Sequence, residues 1–336
     1  MKVVVIGAGR MGLRHASGVL SVDEVEQLFL IDIAPEALER AKGQLSGHKH
    51  FMKTSFLVLD TFSQFDADVV IIASTAANRE KSCALALSFN PRYIMIEKPL
   101  GQSLKEVSGL ISFFDSTDCQ VCVNLNMRLY PFVQQLKTDL HTWPQLEGPK
   151  TILFNGGSLG IGANGIHYLD LVYYLLNADR ARLIAGQIDA DLIPSGRGAD
   201  FGDFGGWAAI EFLTKEGGYL GKAIFNMSAV STVFGGWDIV AKHGRIRINE
   251  LEGKRVDIIR SPDSQMPVNR YAADYLPPKE IPIESPELKD LTTIWLRGLI
   301  QGKQVLPFLK NTFEVHQTLF NWLELSDTHS EKFPIT

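Results

Sequence analysis

The run Val3-Val4-Val5-Ile6 followed by Gly7-Ala8-Gly9-Arg10-Met11-Gly12 narrows the possible folds of this chain more than any other feature. Four consecutive β-branched residues read as a strand buried on both faces. The glycines behind it read G-x-G-x-x-G, the turn by which such a strand enters a helix. Gly7 permits the tight turn, Gly9 lets the backbone approach a pyrophosphate, and Gly12 lets the helix lie close to the strand. The N–H groups that open the helix then face the phosphates, where the helix dipole favours negative charge.

A carboxylate stands where this turn requires one. Asp32 ends the second apolar run, Leu28-Phe29-Leu30-Ile31, twenty residues after Gly12. An acid at the end of the second strand accepts hydrogen bonds from the ribose hydroxyls of NAD and repels the 2′-phosphate of NADP. The first Arg or Lys after it is Arg40, well down the next helix, so NAD is expected in preference to NADP. Asp32 could also cap the helix begun by Pro35, and the two roles are compatible.

Strand and helix patterns alternate through the first 125 residues. Pro35 to Leu45 reads as a helix, Val69 to Ser74 as a strand, Asn78 to Phe89 as a helix and Tyr93 to Ile96 as a strand. Ser103-Leu104-Lys105-Glu106 is a capping box that opens a helix running to about Asp115, and Cys119 to Asn124 is the last strand. This order predicts an α/β fold with a parallel sheet, helices on both faces and ligands beyond the C-terminal strand ends. After about residue 148 the strands lengthen and pair as hairpins, with turns at Lys215-Glu216-Gly217-Gly218 and Lys242-His243-Gly244. One helix is expected between Asn164 and Leu176 and two more over about 285–301 and 312–326. The domains are therefore 1–125, a Rossmann dinucleotide-binding domain, and 126–336, a substrate and oligomerisation domain with a large, mostly antiparallel open sheet. The last helices could pack back on the first domain. A sheet with one uncovered face predicts a homodimer or homotetramer.

Composition excludes several classes. With 336 residues there is length for two cores, and a formal net charge of −5 offers no basic surface to nucleic acid or anionic lipid. No apolar stretch suits a membrane span, and the N-terminus already reads as a core strand, so a cytoplasmic protein without a signal peptide is expected. Cys119 and Cys122 form C-x-x-C, but three residues apart on a strand their sulfurs point to opposite faces, and no second pair completes a metal site. No metal is expected. Phe204-Gly-Gly-Trp207 recurs as Phe234-Gly-Gly-Trp237, read as chance or similar hairpin geometry rather than a substrate loop.

Two places could carry chemistry. Glu97-Lys98-Pro99 follows the strand Tyr93–Ile96, so Lys98 sits at a C-terminal strand end. There it is either a solvated surface group or a donor that stabilises a developing alkoxide. In Gly165-Ile166-His167-Tyr168-Leu169-Asp170, His167, Asp170 and Tyr174 fall at i, i+3 and i+7 on one helical face. A histidine there can take a hydroxyl proton near neutral pH, oriented by Asp170, or can be structural. Arg128, Arg197 and Arg270 could meet a phosphate or carboxylate.

Taken together, Gly7-x-Gly9-x-x-Gly12, Ala73-Ser74-Thr75, Glu97-Lys98-Pro99, Asn126-Met127-Arg128 and Gly165-Ile166-His167-x-x-Asp170 resemble, in order and spacing, the glucose–fructose oxidoreductase / inositol dehydrogenase / MocA-like (Gfo/Idh/MocA) oxidoreductase family. The resemblance implies NAD bound by Gly7, Gly9, Arg10, Met11, Gly12, Asp32, Ser74, Thr75, Glu97 and Lys98. It implies Lys98 and His167 as the catalytic pair, with Asn126 and Arg128 lining the substrate side; Asn164 and Asp170 are expected on the substrate side from their places beside His167, not from the resemblance. The implied reaction moves a hydride between the nicotinamide and a secondary alcohol or ketone of a sugar, polyol or nucleotide-linked sugar. One departure stands out: many dehydrogenases of the family carry an aspartate four residues before the histidine, and here that position is Ala163, followed by Asn164. Variants with asparagine resemble those of surface-glycan pathways. The departure leaves room for a non-catalytic NAD-binding sensor, or for an epimerase or eliminase that regenerates its NAD within each cycle.

Overall fold

The computed structural model describes residues 1–157, 159–194, 201–228, 231, 233–265, 274–326 and 332–336. The chain divides into two compact units. The first comprises Met1–Leu129, Pro286–His316 and Thr336; the second comprises Tyr130–Ser285 and Gln317–Ile335.

The first unit begins with β1 (Lys2–Ile6), α1 (Arg10–Leu20), β2 (Gln27–Asp32), α2 (Pro35–Leu45), β3 (Thr54–Val58) and β4 (Val69–Ile72). It continues with α3 (Arg79–Leu87), β5 (Tyr93–Ile96), α4 (Leu104–Phe114) and β6 (Gln120–Val123). The six strands are parallel, in the order β3-β2-β1-β4-β5-β6. The order reverses between β1 and β4, and ligands of doubly wound sheets bind at that reversal, beyond the carboxyl ends. Val3, Val4, Val5, Val69, Val70, Ile71 and Ile72 are all fully buried, as strands covered on both faces require. Ser103 accepts the Glu106 N–H at the start of α4, while the Glu106 carboxylate reaches one residue further back, to the Gln102 N–H. That is a capping box shifted by one donor. Strand β3 gives little sequence signal: it starts on Thr54-Ser55, lies at the sheet edge and is half-buried throughout.

The second unit contains α5 (Pro131–Thr142), β7 (Lys150–Asn155), a π-helical turn (Ile161–Gly165) and α6 (Ile166–Leu176). Then come β8 (Arg180–Pro194), β9 (Gly202–Leu213), β10 (Tyr219–Asn226), β11 (Gly236–Val240), β12 (Gly244–Asn249), β13 (Lys254–Ile259) and β14 (Lys279–Pro282). These strands form one sheet in the order β14-β13-β12-β11-β7-β10-β9-β8, antiparallel except where β7 meets β10. The hairpins turn at both expected places, with Gly217 at φ +90° in the first. One face alternates inward as Ile152, Phe154, Ala208, Ile210, Phe212, Ala223, Phe225, Ile239 and Ile246, all buried. Tyr173 of α6 meets Phe212 edge-on at 5.2 Å. The opposite face leaves Leu153, Ile224, Trp207 and Val240 exposed. The two Phe-Gly-Gly-Trp copies differ: the first lies within β9 and exposes Trp207, whereas the second enters β11 and buries Trp237.

After β14 the chain returns to the first unit. α7 (Leu288–Ile300) packs on α1, and Gly18 allows the close approach: a Cβ there would overlap the Lys289 carbonyl. α8 (Phe313–Leu323) follows. The three cysteines are free thiols; burial pushes Cys83 and Cys119 up to about 12 and Cys122 higher still. Among the described residues no helix is long and apolar enough to cross a membrane, and no group of His, Cys, Asp and Glu could hold a metal ion.

Candidate active site

The glycine turn has the shape that its spacing demands. Gly7 takes φ +103°, and a Cβ on Gly12 would overlap the Gly7 carbonyl, so helix and strand meet there with no room for a side chain. Among the described residues, and apart from its own chain neighbours, nothing lies within 4 Å of the place a Cβ of Gly9 would occupy. Gly9 and Arg10 are exposed, no side chain caps α1, and no acid stands in its first turn. The helix start thus presents backbone N–H donors to open space, as a pyrophosphate requires. Asp32, at the end of β2, accepts the Ala8 N–H (2.6 Å) and the Ala34 N–H (2.9 Å), which fixes its carboxylate against the glycine turn with lone pairs to spare for ribose hydroxyls. Ser74 and Thr75 follow β4 at the same sheet edge, where the Ser82 hydroxyl donates to Ser74 Oγ at 2.8 Å. Asn126 and Arg128 lie in a 3-10 turn after β6, Asn126 buried and Arg128 half-buried.

Lys98 is 6 % exposed, so it is no solvated surface lysine. Its segment is anchored from several sides. Glu97 Oε1 is bonded to His15 Nε2 (2.9 Å) and accepts from Asn124 Nδ2 (2.7 Å), while Oε2 accepts the Lys98 N–H (3.2 Å). His15 Nδ1 meets the Thr292 hydroxyl of α7 at 2.8 Å. Burial alone would raise the Glu97 carboxyl, but the His15 hydrogen bond and charge, the Lys98 charge and the Asn124 amide outweigh it and hold Glu97 at about 2. Further along, buried Arg79 donates to the carbonyls of Ile72 (3.3 Å) and Pro99 (3.1 Å). His316 Nε2 accepts the Leu100 N–H (3.3 Å) as Nδ1 donates to the Thr312 carbonyl (2.8 Å). Burial, aided by the Arg79 charge, lowers His316 to about 4, so it is neutral at pH 7, as this pair of bonds requires. Sequence reading does not find His15, Arg79, Asn124 or His316. His15 alone leaves a trace, three residues after Gly12 on the same helix.

In the second unit, the helix expected from Asn164 begins earlier, with the π-turn Ile161–Gly165, and becomes α-helical at Ile166. Asn164 and His167 are half-buried; Asp170, by contrast, is 1 % exposed and belongs to the interior of the unit. Tyr168, next to His167, donates to Glu250 Oε1 (3.3 Å), which also takes the Trp237 Nε1–H (3.1 Å), while Ser285 donates to Oε2 (3.3 Å). Burial raises the Glu250 carboxyl against these bonds. Arg197 and Arg270 lie outside the described residues.

Residues 1–125 match the model of an oxidoreductase family with an NAD-binding Rossmann fold. That family is the Gfo/Idh/MocA one, and the match is confined to the first 125 residues. Its curated relatives are distant: the chain is 25% identical over 137 residues to the myo-inositol 2-dehydrogenase of Thermotoga maritima, a match covering 41% of this chain and 40% of that protein. It is 25% identical over 203 residues to the glucose-6-phosphate 3-dehydrogenase of Bacillus subtilis, covering 53% and 54%. The chain thus spans about half the length, or less, of the curated relatives it matches. A crystal structure of an oxidoreductase from Agrobacterium radiobacter in complex with NAD+, L-tartaric acid and magnesium shares the fold at a TM-score of 0.70, with 16% identity, covering 98% of this chain and 97% of that one. The family's cofactor fits the residues present: the open space above Gly9, the uncapped start of α1 and the backbone-anchored Asp32 are the features a bound dinucleotide needs.

Proposed function

We propose that the protein is an NAD-dependent dehydrogenase acting on a secondary alcohol of a sugar, polyol or nucleotide-linked sugar, or on the corresponding ketone. The observation that carries this reading is the presentation of Lys98. It follows β5 at the carboxyl edge of the sheet that also carries the glycine turn and Asp32, on a segment clamped by Glu97, Arg79 and His316. NAD, when bound, supplies the hydride acceptor at its nicotinamide. The chain's own groups do the rest. The glycine-turn amides hold the pyrophosphate, and Asp32 takes the ribose hydroxyls and selects against a 2′-phosphate. Lys98 donates to the substrate oxygen and stabilises the charge that develops on it. His167 accepts the hydroxyl proton. Asn126, Arg128 and Asn164 contact the substrate.

The dehydrogenase names of the relatives and the match of residues 1–125 to the family model support this reading. The exposed row of Leu153, Ile224 and Trp207 supports a homo-oligomer formed through the second sheet, which light scattering would detect. The deciding experiment titrates purified protein with NAD(H) and NADP(H), follows the melting temperature, and then monitors nicotinamide absorbance with inositol, glucose 6-phosphate and nucleotide sugars. Greater stabilisation by NAD(H), with a redox change for one sugar class, is the expected result. Stabilisation without redox change on any of them would instead favour a sensor, or an enzyme that restores its cofactor within each cycle. A preference for NADP(H) would overturn the role given to Asp32.

A further inference from the structure

Asp203 of β9 is 7 % exposed, and its carboxylate is spent on a turn 40 residues away in sequence. Its Oδ1 accepts the N–H groups of Gly162 and Phe204, each at 2.8 Å, and its Oδ2 accepts the Ala163 N–H at 2.6 Å. Gly162 and Ala163 belong to the π-turn that runs into α6 and His167. The turn is wide because the Gly160 carbonyl accepts from both the Asn164 N–H (3.1 Å) and the Gly165 N–H (3.0 Å), the second a π-type bond. Gly160 stands at φ +79°, and a Cβ there would overlap the Asp203 carboxylate. The turn is therefore shaped around that carboxylate.

The extra residue has a geometric consequence. Each residue of an α-helix advances about 100° around the axis, so a turn widened by one residue rotates the segment on its N-terminal side against the segment on its C-terminal side by roughly that angle. From Ile161 to Asp170 the residues that keep partial exposure are Ala163, Asn164 and His167; the others are buried. Whether Asn164 and His167 share one accessible face is therefore set by the width of the turn.

We infer that Asp203 is a positioning residue, holding the π-turn through the Gly162 and Ala163 amides and so setting the angular register of Asn164 against His167. It transfers no proton, and the inference rests on the reading of His167 as the base. A helix start normally takes its first amides to a side chain of its own sequence. Here they go to the neighbouring strand, which ties the helix carrying His167 to the sheet.

Asp203→Asn in the full-length protein tests this, with Asp203→Ser as the second variant should the first fail to fold. Hydrogen exchange is expected to rise at least ~10-fold at the amides of 162 and 163 and stay unchanged over 169–176. With substrate, kcat should fall ~10- to 100-fold, the usual effect of a small misplacement of a reacting group, while NAD affinity, which resides in the first unit, is retained. The pH profile of kcat/KM should move with it. A lower melting temperature with unchanged kcat and pH profile would reduce Asp203 to a structural tie and overturn the inference. Unchanged exchange at 162 and 163 would overturn it independently of catalysis. A wild-type protein without turnover would refute the reading of His167, and with it the catalytic consequence, while the exchange data would still report the turn itself.

Discussion

The two units prepare their candidate catalytic residues in opposite ways. In the first, Lys98 is almost fully buried and its segment is tied down by Glu97, His15, Asn124, Arg79 and His316, of which only Glu97 is marked by a sequence motif. In the second, His167 remains half-exposed, one turn into a helix whose start is held by a carboxylate from another strand. The parallel sheet, covered on both faces, can bury a charged network at its carboxyl edge because each member finds a partner. The open sheet covers only one face and places its histidine by the geometry of a turn.

Substitution can break this comparison most sharply. Lys98→Ala and His167→Ala are each expected to lower turnover by ~10²–10⁴-fold, the range for positioned acid–base and charge-stabilising groups. Calorimetry with NAD should show weaker binding for Lys98→Ala and unchanged binding for His167→Ala. Equal loss in both would erase the division of labour. The double variant should lose less than the product of the single losses if both groups serve one step.

Next in size is a pH effect confined to the first unit. His316 is held at about 4 in the folded chain, below its ordinary 6.5. The unfolded chain therefore binds a proton that the folded chain refuses. Stability is fully present above about pH 6.5 and is lost as pH falls towards 4, by roughly 3 kcal/mol at 1.36 kcal/mol per pKa unit. Denaturant melts of the wild type and of His316→Gln between these pH values should show a clearly smaller slope for the variant. Parallel slopes would mean that His316 takes up its proton in the folded state at an ordinary pH.

A smaller effect is expected from Gly12→Ala. The new methyl would overlap the Gly7 carbonyl, an overpacking that costs about 1–3 kcal/mol, and it should weaken NAD binding because the turn must open. Thermal melts with and without NAD measure both. The smallest effect belongs to the uncovered face: Ile224→Ser should change the stability of an isolated chain by under about 0.5 kcal/mol, yet dissociate an oligomer formed through that sheet. Light scattering that shows no change in mass would remove the sheet as the contact.

Most of the first unit is legible in the chain itself. Each of its inner strands is a short run of β-branched or large apolar residues, because a strand covered on both faces needs no polar alternation. The glycine turn, Asp32 and the position of Lys98 emerge from spacing alone, since they depend on contacts within one βαβ unit or at one strand end. Edge strand β3 escapes because its half-buried, polar-led sequence resembles a loop. α5 escapes because its inward face includes the buried Asp139, which bonds Gln135 and pairs with Arg255. The proline-rich stretch from Arg260 to Pro286 reads as loop yet contains β14, whose Pro282 is tolerated at the sheet edge.

The sequence by itself determined the α/β class, the dinucleotide turn and the residue types at the candidate site, because these arise from short local patterns in the chain. Only the tertiary structure decided what holds them: that Glu97 is fixed by His15 from α1 and by Asn124 just after β6, that His316 supports Leu100 from 216 residues away, and that Asp203 shapes the turn before His167. Burial forces each of these polar groups to find a partner, and the partner is whichever group the fold brings alongside, a choice that leaves no periodic mark in the chain.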